Sequence, residues 1–481
     1  LSSLIHALVS HPEAVFVSVK KWYLSLSAPR MQLEDGANIV VIGGGPAGSF
    51  FAINLLRKAK KINKKVTVTI IEKKKEINLG APKNSSAHRE GCNFCAGLLS
   101  PKMCDILDNL GIVLPDDVIQ GRVSQVTVDM EWKMLSFLVP LGRKIISVFR
   151  GARPEARELK DANFDSFMLE EAIKEGAEVI TGEVQDIKYS ETGKPLITCK
   201  GAEKDVEADF VVFAGGVNLI PGQQTKDNKN FGAFKKILPG FRPPSIRKAL
   251  IFELKAGNEF RGEKDEIHYI LYGSNDLKLE FVSIIPKGDF ITIVLIGPTI
   301  DSSVPRDNLG IIKKFLALPH IKQLLPNAEL KSVCICNPSI VTGSAENPSG
   351  DRIALVGDAV ISRLYKDGIW TAYLTASVLS DTILDIGIDS NSLKEGYRKV
   401  IRQLKIDNWF GHIIFMLNKF MFSHSILSRI IYQAVLTERK SETKGARRLE
   451  DIFWKIISGD DMYRNIFISM FHPIAIWSLV I

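Results

Sequence analysis

The run from Asn38 to Glu72 constrains the fold of this chain more than any other. Asn38-Ile39-Val40-Val41-Ile42 is an apolar stretch of the kind that forms a strand buried on both faces. Gly43-Gly44-Gly45-Pro46-Ala47-Gly48 then turns the chain. Ser49 to Ala59 reads as a helix with Phe50, Phe51, Ile53, Leu55 and Leu56 available to pack. A second strand, Val66-Thr67-Val68-Thr69-Ile70-Ile71, ends on Glu72. This is a βαβ dinucleotide fingerprint. Gly43 allows the tight turn, Gly45 lets backbone approach a pyrophosphate, and Gly48 lets the helix press on the strand. The helix N-terminus presents N–H groups to phosphates, and the Glu72 carboxylate can accept hydrogen bonds from ribose hydroxyls. A glycine triplet alone is a weak signal. Between a strand and a helix, with an acid closing the next strand, it is strong.

With 481 residues the chain holds two or more domains and can bury a sizeable core. The net charge of +8 is uneven, gathered in Arg57, Lys58, Lys60, Lys61, Lys64, Lys65, Lys73, Lys74 and Lys75. That cluster is either a solvated helix end or a surface for an anionic membrane or an acidic redox partner. No motif supports nucleic-acid binding. Six cysteines in a chain this long do not make a disulfide framework, so a reducing, cytoplasmic setting is expected. Residues 1–30 lack a basic region ahead of an apolar one, which argues against a secretory signal.

Taken in order, residues 1–36 form a helical arm with apolar positions such as Leu4, Leu8, Phe16 and Trp22, docked on the core or lying at a membrane interface. The segment Lys73 to Ser100 has little periodicity, and a loop of this length is usually functional. It carries His88, Arg89 and Cys92-Asn93-Phe94-Cys95-Ala96-Gly97. Strand-like alternation runs from Gly121 to Val128 and from Met134 to Phe149. A helix follows from about Phe164 to Glu175, and Ala208 to Gly216 is a buried strand ending in a glycine turn. From Val217 to about Lys331 the pattern is antiparallel: Ala249–Leu254, His268–Tyr272, Leu279–Ile285 and Phe290–Ile296. The chain then returns to a strand and turn at Arg352–Ala359 and a helix from about Gly368 to Leu384. Trp409–Phe422 and Ile466–Ile481 are apolar but too interrupted for a clean spanning helix, which needs roughly 20 apolar residues. They are core-packing helices or a monotopic patch that reaches a lipid. The fold class expected is therefore α/β: a Rossmann-type FAD-binding domain from residues 37–120, 152–216 and 332–390, and an inserted antiparallel-sheet substrate domain from 121–151 and 217–331. A helical C-terminal extension, 391–481, follows.

FAD suits this layout better than NAD, because a glycine fingerprint near the start and a second strand end, Gly357-Asp358, some three hundred residues later need a long cofactor to span them. Asp358 falls where the ribityl chain of a flavin would lie. The helix from Gly368 aims its positive end at the pyrophosphate and the flavin C2 carbonyl, where it would stabilise the charge of a reduced flavin.

These residues resemble the flavoproteins of the p-hydroxybenzoate hydroxylase fold: Gly43 to Gly48, Glu72, Ala208 to Gly216, Gly357-Asp358-Ala359 and Asp367-Gly368-Ile369. Within that fold the chain looks most like the geranylgeranyl reductase family, which saturates isoprenoid double bonds with reduced FAD. The family's glycine-and-cysteine loop is seen as Cys95-Ala96-Gly97-Leu98. Its Phe-Asp helix start and Gly-Ala-Glu-Val are seen as Phe164-Asp165 and Gly176-Ala177-Glu178-Val179, and Gly182-Glu183-Val184 matches the strand that meets the adenine. The resemblance covers residues 38 to about 385. It implies a cofactor site of Gly43, Gly45, Pro46, Ala47, Gly48, Glu72, Lys73, Cys95, Ala96, Gly97, Val184, Ala214, Gly215, Gly357, Asp358, Gly368 and Ile369. It also implies a catalytic-loop role for Cys95 and a substrate pocket at Phe281, Ser283, Ile285 and Pro286.

Three departures stand out. The family's Tyr-x-Trp-x-Phe-Pro-Lys is Phe281-Val282-Ser283-Ile284-Ile285-Pro286-Lys287 here, so Ser283 replaces the tryptophan. The arginine expected three residues before Phe164 is Asp161. The usual Pro-x-x-Gly-Glu-Gly is Arg363-Leu364-Tyr365-Lys366-Asp367-Gly368, which brings two positive side chains toward the cofactor. The pairs Cys92/Cys95 and Cys334/Cys336 are packing residues, ligands of a metal or iron–sulfur cluster, or a redox dithiol. The expected function is an FAD-dependent reductase of a lipid-like, isoprenoid double bond, with NAD(P)H or a reduced ferredoxin as electron donor. The alternatives are a flavin monooxygenase or halogenase, and an electron-transfer flavoprotein subunit of a membrane-associated complex.

Overall fold

The computed structural model describes residues 30–73, 96–151, 163–201, 204–218, 229–255, 265–271, 274, 276–302, 307–326, 332–440 and 447–473. Its first layer is a six-stranded sheet in the order 349–350, 353–355, 210–213, 37–42, 66–72, 178–181. All neighbours in it are parallel except 349–350 with 353–355. Ala37–Ile42 lies between two parallel partners and is covered on both faces, which is why it reads as an apolar run and not as an alternating one. Helix α1 (Pro46–Lys61) covers one face and buries Phe50, Phe51, Ile53 and Leu55. Three of the basic residues toward its C-terminal end are ion-paired. Arg57 and Lys60 pair with Glu175 at 2.8 and 3.2 Å, and Lys58 bridges Asp381 and Asp385. Glu175 caps α2 (Phe164–Lys174), whose own N-cap is Asn163, its side-chain oxygen accepting from the Ser166 N–H at 2.8 Å.

The second layer is a seven-stranded sheet, in the order 332–336, 250–255, 290–296, 281–287, 266–270, 125–129, 134–138. It is antiparallel apart from the pairing of 266–270 with 125–129. Helices α3 (Asn308–Leu316) and α4 (Pro319–Leu324) cover one face, where Ile311, Ile312, Phe315 and Ile321 pack on Phe252, Ile284 and Ile293. Two details differ from expectation. Ser332–Cys336 belongs to this sheet, with Ile251 opposite Cys336, and not to the nucleotide layer, because the chain makes one more antiparallel pass before returning. The alternating run Met134–Phe149 is also not one strand. It breaks at a turn in which Arg143 N–H donates to the Pro140 carbonyl and Gly142 takes a positive φ, and Ile146–Val148 joins a small separate sheet with 98–99 and 119–122.

The chain then re-enters the first layer as α5 (Gly368–Asp385), which packs along α1 with the Phe50 and Tyr373 rings edge to face at 5.3 Å. The C-terminal extension is α6 (Tyr397–Ser423), α7 (Ser425–Lys440), α8 (Arg448–Ser458) and α9 (Tyr463–Met470). It closes the other face of the seven-stranded sheet: Ile431, Val435, Ile452, Phe453 and Ile457 join one core with Val126, Val128, Phe137, Ile267 and Tyr269. Among the described residues no helix is long and apolar enough to cross a membrane.

Candidate functional site

The glycine turn is built as a cradle. A Cβ on Gly48 would sit 2.0 Å from the Gly43 carbonyl oxygen, and one on Gly43 would sit 2.9 Å from the Ala214 oxygen and 3.2 Å from Gly215 Cα. The backbones of three segments touch there, so only glycine fits. In front of Gly45 there is room, the nearest neighbour of an added Cβ being Asp165 Oδ2 at 3.9 Å. Helix α1 starts with Pro46, carries no acid in its first turn and has no side-chain cap on its free N–H groups. Glu72 closes the cradle, its carboxylate accepting from Gly44 N–H at 2.6 Å. An open, positive helix end beside a carboxylate is what a dinucleotide pyrophosphate and its ribose require.

The far end of the chain arrives at the same place. Gly357 takes φ +64°, and a Cβ there would lie 2.8 Å from the Ala47 Cβ, so the second strand end presses on the first loop. Next to it a cavity of about 220 Å³ is lined by Ala96, Gly97, Asp358, Gly368 and Ile369 on one side and by Phe281, Ser283, Val294 and Tyr269 of the seven-stranded sheet on the other. Burial raises the Asp358 carboxyl above the usual carboxylate range, opposed by the Arg150 charge and a Ser362 hydrogen bond. A second cavity, about 280 Å³, lies between that sheet and the C-terminal helices, walled by Leu271, Phe415, Met416, Phe422, Phe453 and Ile456. The two share Tyr269, Phe281, Ile296, Tyr365, Lys366 and Ile457.

Lys366 stands on the shared wall. Its Nζ donates to the Ile457 carbonyl at 2.6 Å and lies 4.3 Å from the Tyr269 ring centroid and 5.3 Å from that of Phe281. Burial pulls its ammonium down to about 7, with Asp367 opposing and Arg363 reinforcing. Arg363, wholly buried, ties the start of α5 to the C-terminal helices. It donates to Asp367 Oδ2 at 2.9 Å, to the Gly459 carbonyl at 2.6 Å and to the Asp461 carbonyl, and it stacks on Tyr463. Lys102 reaches Asp367 at 3.6 Å and sits over Trp370. Asp367 itself takes a left-handed φ of 56° at the head of α5.

The structure thus gathers Gly43, Gly45, Pro46, Ala47, Gly48, Glu72, Ala214, Gly215 and Gly357 around one turn, and Ala96, Gly97, Asp358, Gly368 and Ile369 around the adjoining cavity. Lys73 pairs with Glu183 at 3.9 Å, next to Val184 at the start of its strand. Phe281 lines both cavities and Ser283 the first. Ile285 and Pro286 line neither of them. Ile285 is absorbed in the core shared with the C-terminal helices, and strand alternation puts Pro286 on the side of Val282 and Ile284. Cys95, Cys92, His88, Arg89 and Asp161 lie outside the described residues. Cys334 and Cys336 share one face of an antiparallel strand, and among the described residues no group of three or more His, Cys, Asp or Glu is placed to hold a metal.

An arginine does meet the start of α2, from farther back in the chain. Arg150 Nε and Nη2 donate to the two Asp165 oxygens at 2.8 and 2.9 Å, because the Phe164 N–H donates to the Phe149 carbonyl and brings the two segments side by side. Counting back from Phe164 cannot find it. Arg363 and Lys366 do line the cavity beside Asp358 and Gly368, as expected of two positive side chains near the cofactor, but a wall shared by Tyr365 and Lys366 with a second cavity closed by the C-terminal helices was not expected.

No protein-family model matches the chain. It is similar to the probable electron transfer flavoprotein-quinone oxidoreductase YgcN of Escherichia coli strain K12, with 24% identity over 310 residues, 62% of this chain and 63% of that protein. The chain thus spans less than two thirds of that relative. A digeranylgeranylglycerophospholipid reductase of Methanococcus vannielii is 22% identical over 378 residues, 76% of this chain and 81% of that one. Among solved structures, a geranylgeranyl bacteriochlorophyll reductase-like protein of Thermoplasma acidophilum superposes with a TM-score of 0.58 at 15% identity, covering 91% of this chain and 99% of that one. The flavin-dependent brominase Bmp2 does so with 0.58 at 17%, covering 89% and 98%. The fold is that of the FAD-binding flavoprotein oxidoreductases. Within that class the resemblance to the geranylgeranyl reductases holds, while the presence of a halogenase on the same fold means that the fold alone does not choose the reaction.

Proposed function

We propose that this chain is an FAD-dependent reductase delivering hydride to a double bond of an apolar, chain-like substrate, isoprenoid or lipid-like, with NAD(P)H or a reduced ferredoxin as the source of electrons. The observation that carries the reading is the pair of cavities: one beside the cofactor residues, the other largely apolar, with a common wall. Gly43, Gly45, Gly48, Glu72, Asp358 and Gly368 would hold FAD, and FAD when bound supplies hydride chemistry. The chain contributes the rest. The α1 N-terminus offers donors to the pyrophosphate, and the start of α5 aims a helix dipole at the same cavity. Arg150, fixed by Asp165, places a positive charge near Asp358. Ile251, Val294, Ile296 and Ile369 give the first cavity an apolar wall, and the rings of Phe415, Phe422 and Phe453 give the second a surface suited to a hydrocarbon chain.

The test is anaerobic. The holoenzyme, reduced chemically, is mixed with polyprenyl-chain substrates, some with isolated double bonds and some with a double bond conjugated to a carbonyl, while flavin absorbance is followed, and products are analysed by mass. The expected outcome is reoxidation without oxygen and a product two hydrogens heavier. Reoxidation by oxygen only, with a hydroxylated or halogenated product, would refute the reductase.

A further inference from the structure

We propose that Lys366 binds a carbonyl oxygen of the substrate, so that the double bond reduced here is conjugated to a carbonyl and Lys366 supplies its proton. This rests on the reading above and narrows its substrate class. A molecule that occupied both cavities would contact the six residues they share, and Lys366 is the only one of those six with a charge. An ammonium has three N–H donors. One goes to the Ile457 carbonyl, and the surroundings are otherwise two ring faces. Among the described residues no carboxylate lies within 4.0 Å of Nζ. Removing a cation from water costs several kcal/mol unless acceptors replace the water, and an isolated alkene offers none.

The neighbouring charges say which acceptor fits. On its own turn Lys366 is flanked by Asp367 and Arg363, which are bonded to each other. Arg247, ahead of the 250–255 strand, is taken up by Glu280, Asp301 and the Tyr365 hydroxyl. Lys419 of α6 is held by Glu280, and His412 of the same helix meets the Thr342 carbonyl. Tyr269 is buried with its hydroxyl held well above its usual range by desolvation, and α8 presents apolar side chains, the Ile457 carbonyl and, toward the first cavity, Ser458, but no charge. Arg150, Arg363, Arg247 and Lys419 also line the two cavities but are paired with carboxylates, so a phosphate would find one cation not so paired among the described residues, already shared with a carbonyl and set among aromatic rings. A neutral ketone oxygen needs no more than that.

The step balances. Hydride adds to the carbon distal to the carbonyl, the π electrons move to the oxygen, and one N–H proton of Lys366 passes to that oxygen. The enol relaxes to the saturated ketone, and the neutral amine regains a proton from water. An ammonium held near neutrality is suited to this transfer.

Two probes test it on the oxidised holoenzyme, where no reduction occurs: an alkyl-tailed aryl enone and the alkene of the same skeleton lacking the carbonyl. A charge-assisted hydrogen bond predicts that the enone binds about 10–100-fold more tightly, with its absorption band shifted to the red. In Lys366→Met the shift and most of the preference disappear while FAD content and alkene affinity stay. An unchanged shift and preference in that variant would overturn the proposal. Should the variant lose FAD, the wild-type protein decides: the preference fades as pH rises through about 7, and a flat profile overturns it. Alkene binding without enone preference removes this inference alone. Failure of both probes to bind removes the apolar-substrate reading beneath it.

Discussion

Replacing Gly48 by alanine tests the cradle most directly. The added Cβ would fall 2.0 Å from the Gly43 carbonyl oxygen and 3.1 Å from Val41 Cγ1. Ordinary carbon–oxygen contact is about 3.3 Å, and buried backbone cannot swing away as a side chain can, so α1 must retreat from the strand by about 1 Å. Overpacking of this kind costs about 1–3 kcal/mol, set against a gain of about 1 kcal/mol from alanine's better helix propensity. The larger effect falls on the cofactor. A retreat of that size takes the first-turn N–H groups out of reach of a phosphate, and losing one charge-assisted hydrogen bond weakens binding about 10–100-fold. The assay is FAD content after purification, then titration of the stripped protein with FAD. Gly232→Ala is the control, because nothing lies within 4 Å of a Cβ at that helical position. If Gly48→Ala retains as much FAD as Gly232→Ala, with equal affinity, the close approach of helix to strand is not what forms the site.

Glu72→Ala removes the acceptor of the Gly44 N–H and the ribose partner, and should lower FAD retention about tenfold against Glu34→Ala on the exposed surface, both read by flavin absorbance per protein. Arg363→Met removes the nearer of two cations beside the buried Asp367, leaving Lys102 at 3.6 Å, and should cost about 3 kcal/mol in thermal unfolding, with Asp367→Asn added to it restoring part of the loss. Burial holds Lys366 near 7 and Lys102 near 8, below the ordinary ammonium range, so between about pH 7 and 10 the unfolded chain binds more protons than the folded one. Stability therefore rises with pH across that window. The thermal midpoints of Lys366→Met, measured from neutral to alkaline pH, should rise less than those of the wild type.

Three residues of the basic cluster show how local reading and packing divide the work. From the sequence, Arg57, Lys58 and Lys60 were either a solvated helix end or a patch for a partner. The ion pairs to Glu175, Asp381 and Asp385 make these three part of the seam between helices, a fact that depends on α1, α2 and α5 lying side by side. Strand type was legible where burial was uniform, as in Ala37–Ile42 and Phe290–Ile296, and illegible where Pro140 and Gly142 cut an alternating run. The sheet membership of Ser332–Cys336 could not be read either, since a strand's period says which faces it has and not which neighbour it takes.

The sequence by itself determined the nucleotide turn. Its glycines, its strand and its acid act over a few bonds, where backbone geometry is dictated by residue type. The acid Glu72 stands only 28 positions from the Gly44 it serves. The second half of the site was decided by tertiary structure. Gly357 reaches Ala47 across three hundred residues, Arg150 reaches Asp165 past an intervening segment, and Lys366 acquires its surroundings from a sheet strand and a C-terminal helix that share no local pattern with it. A cavity is made by faces that meet, and no window of sequence contains both faces.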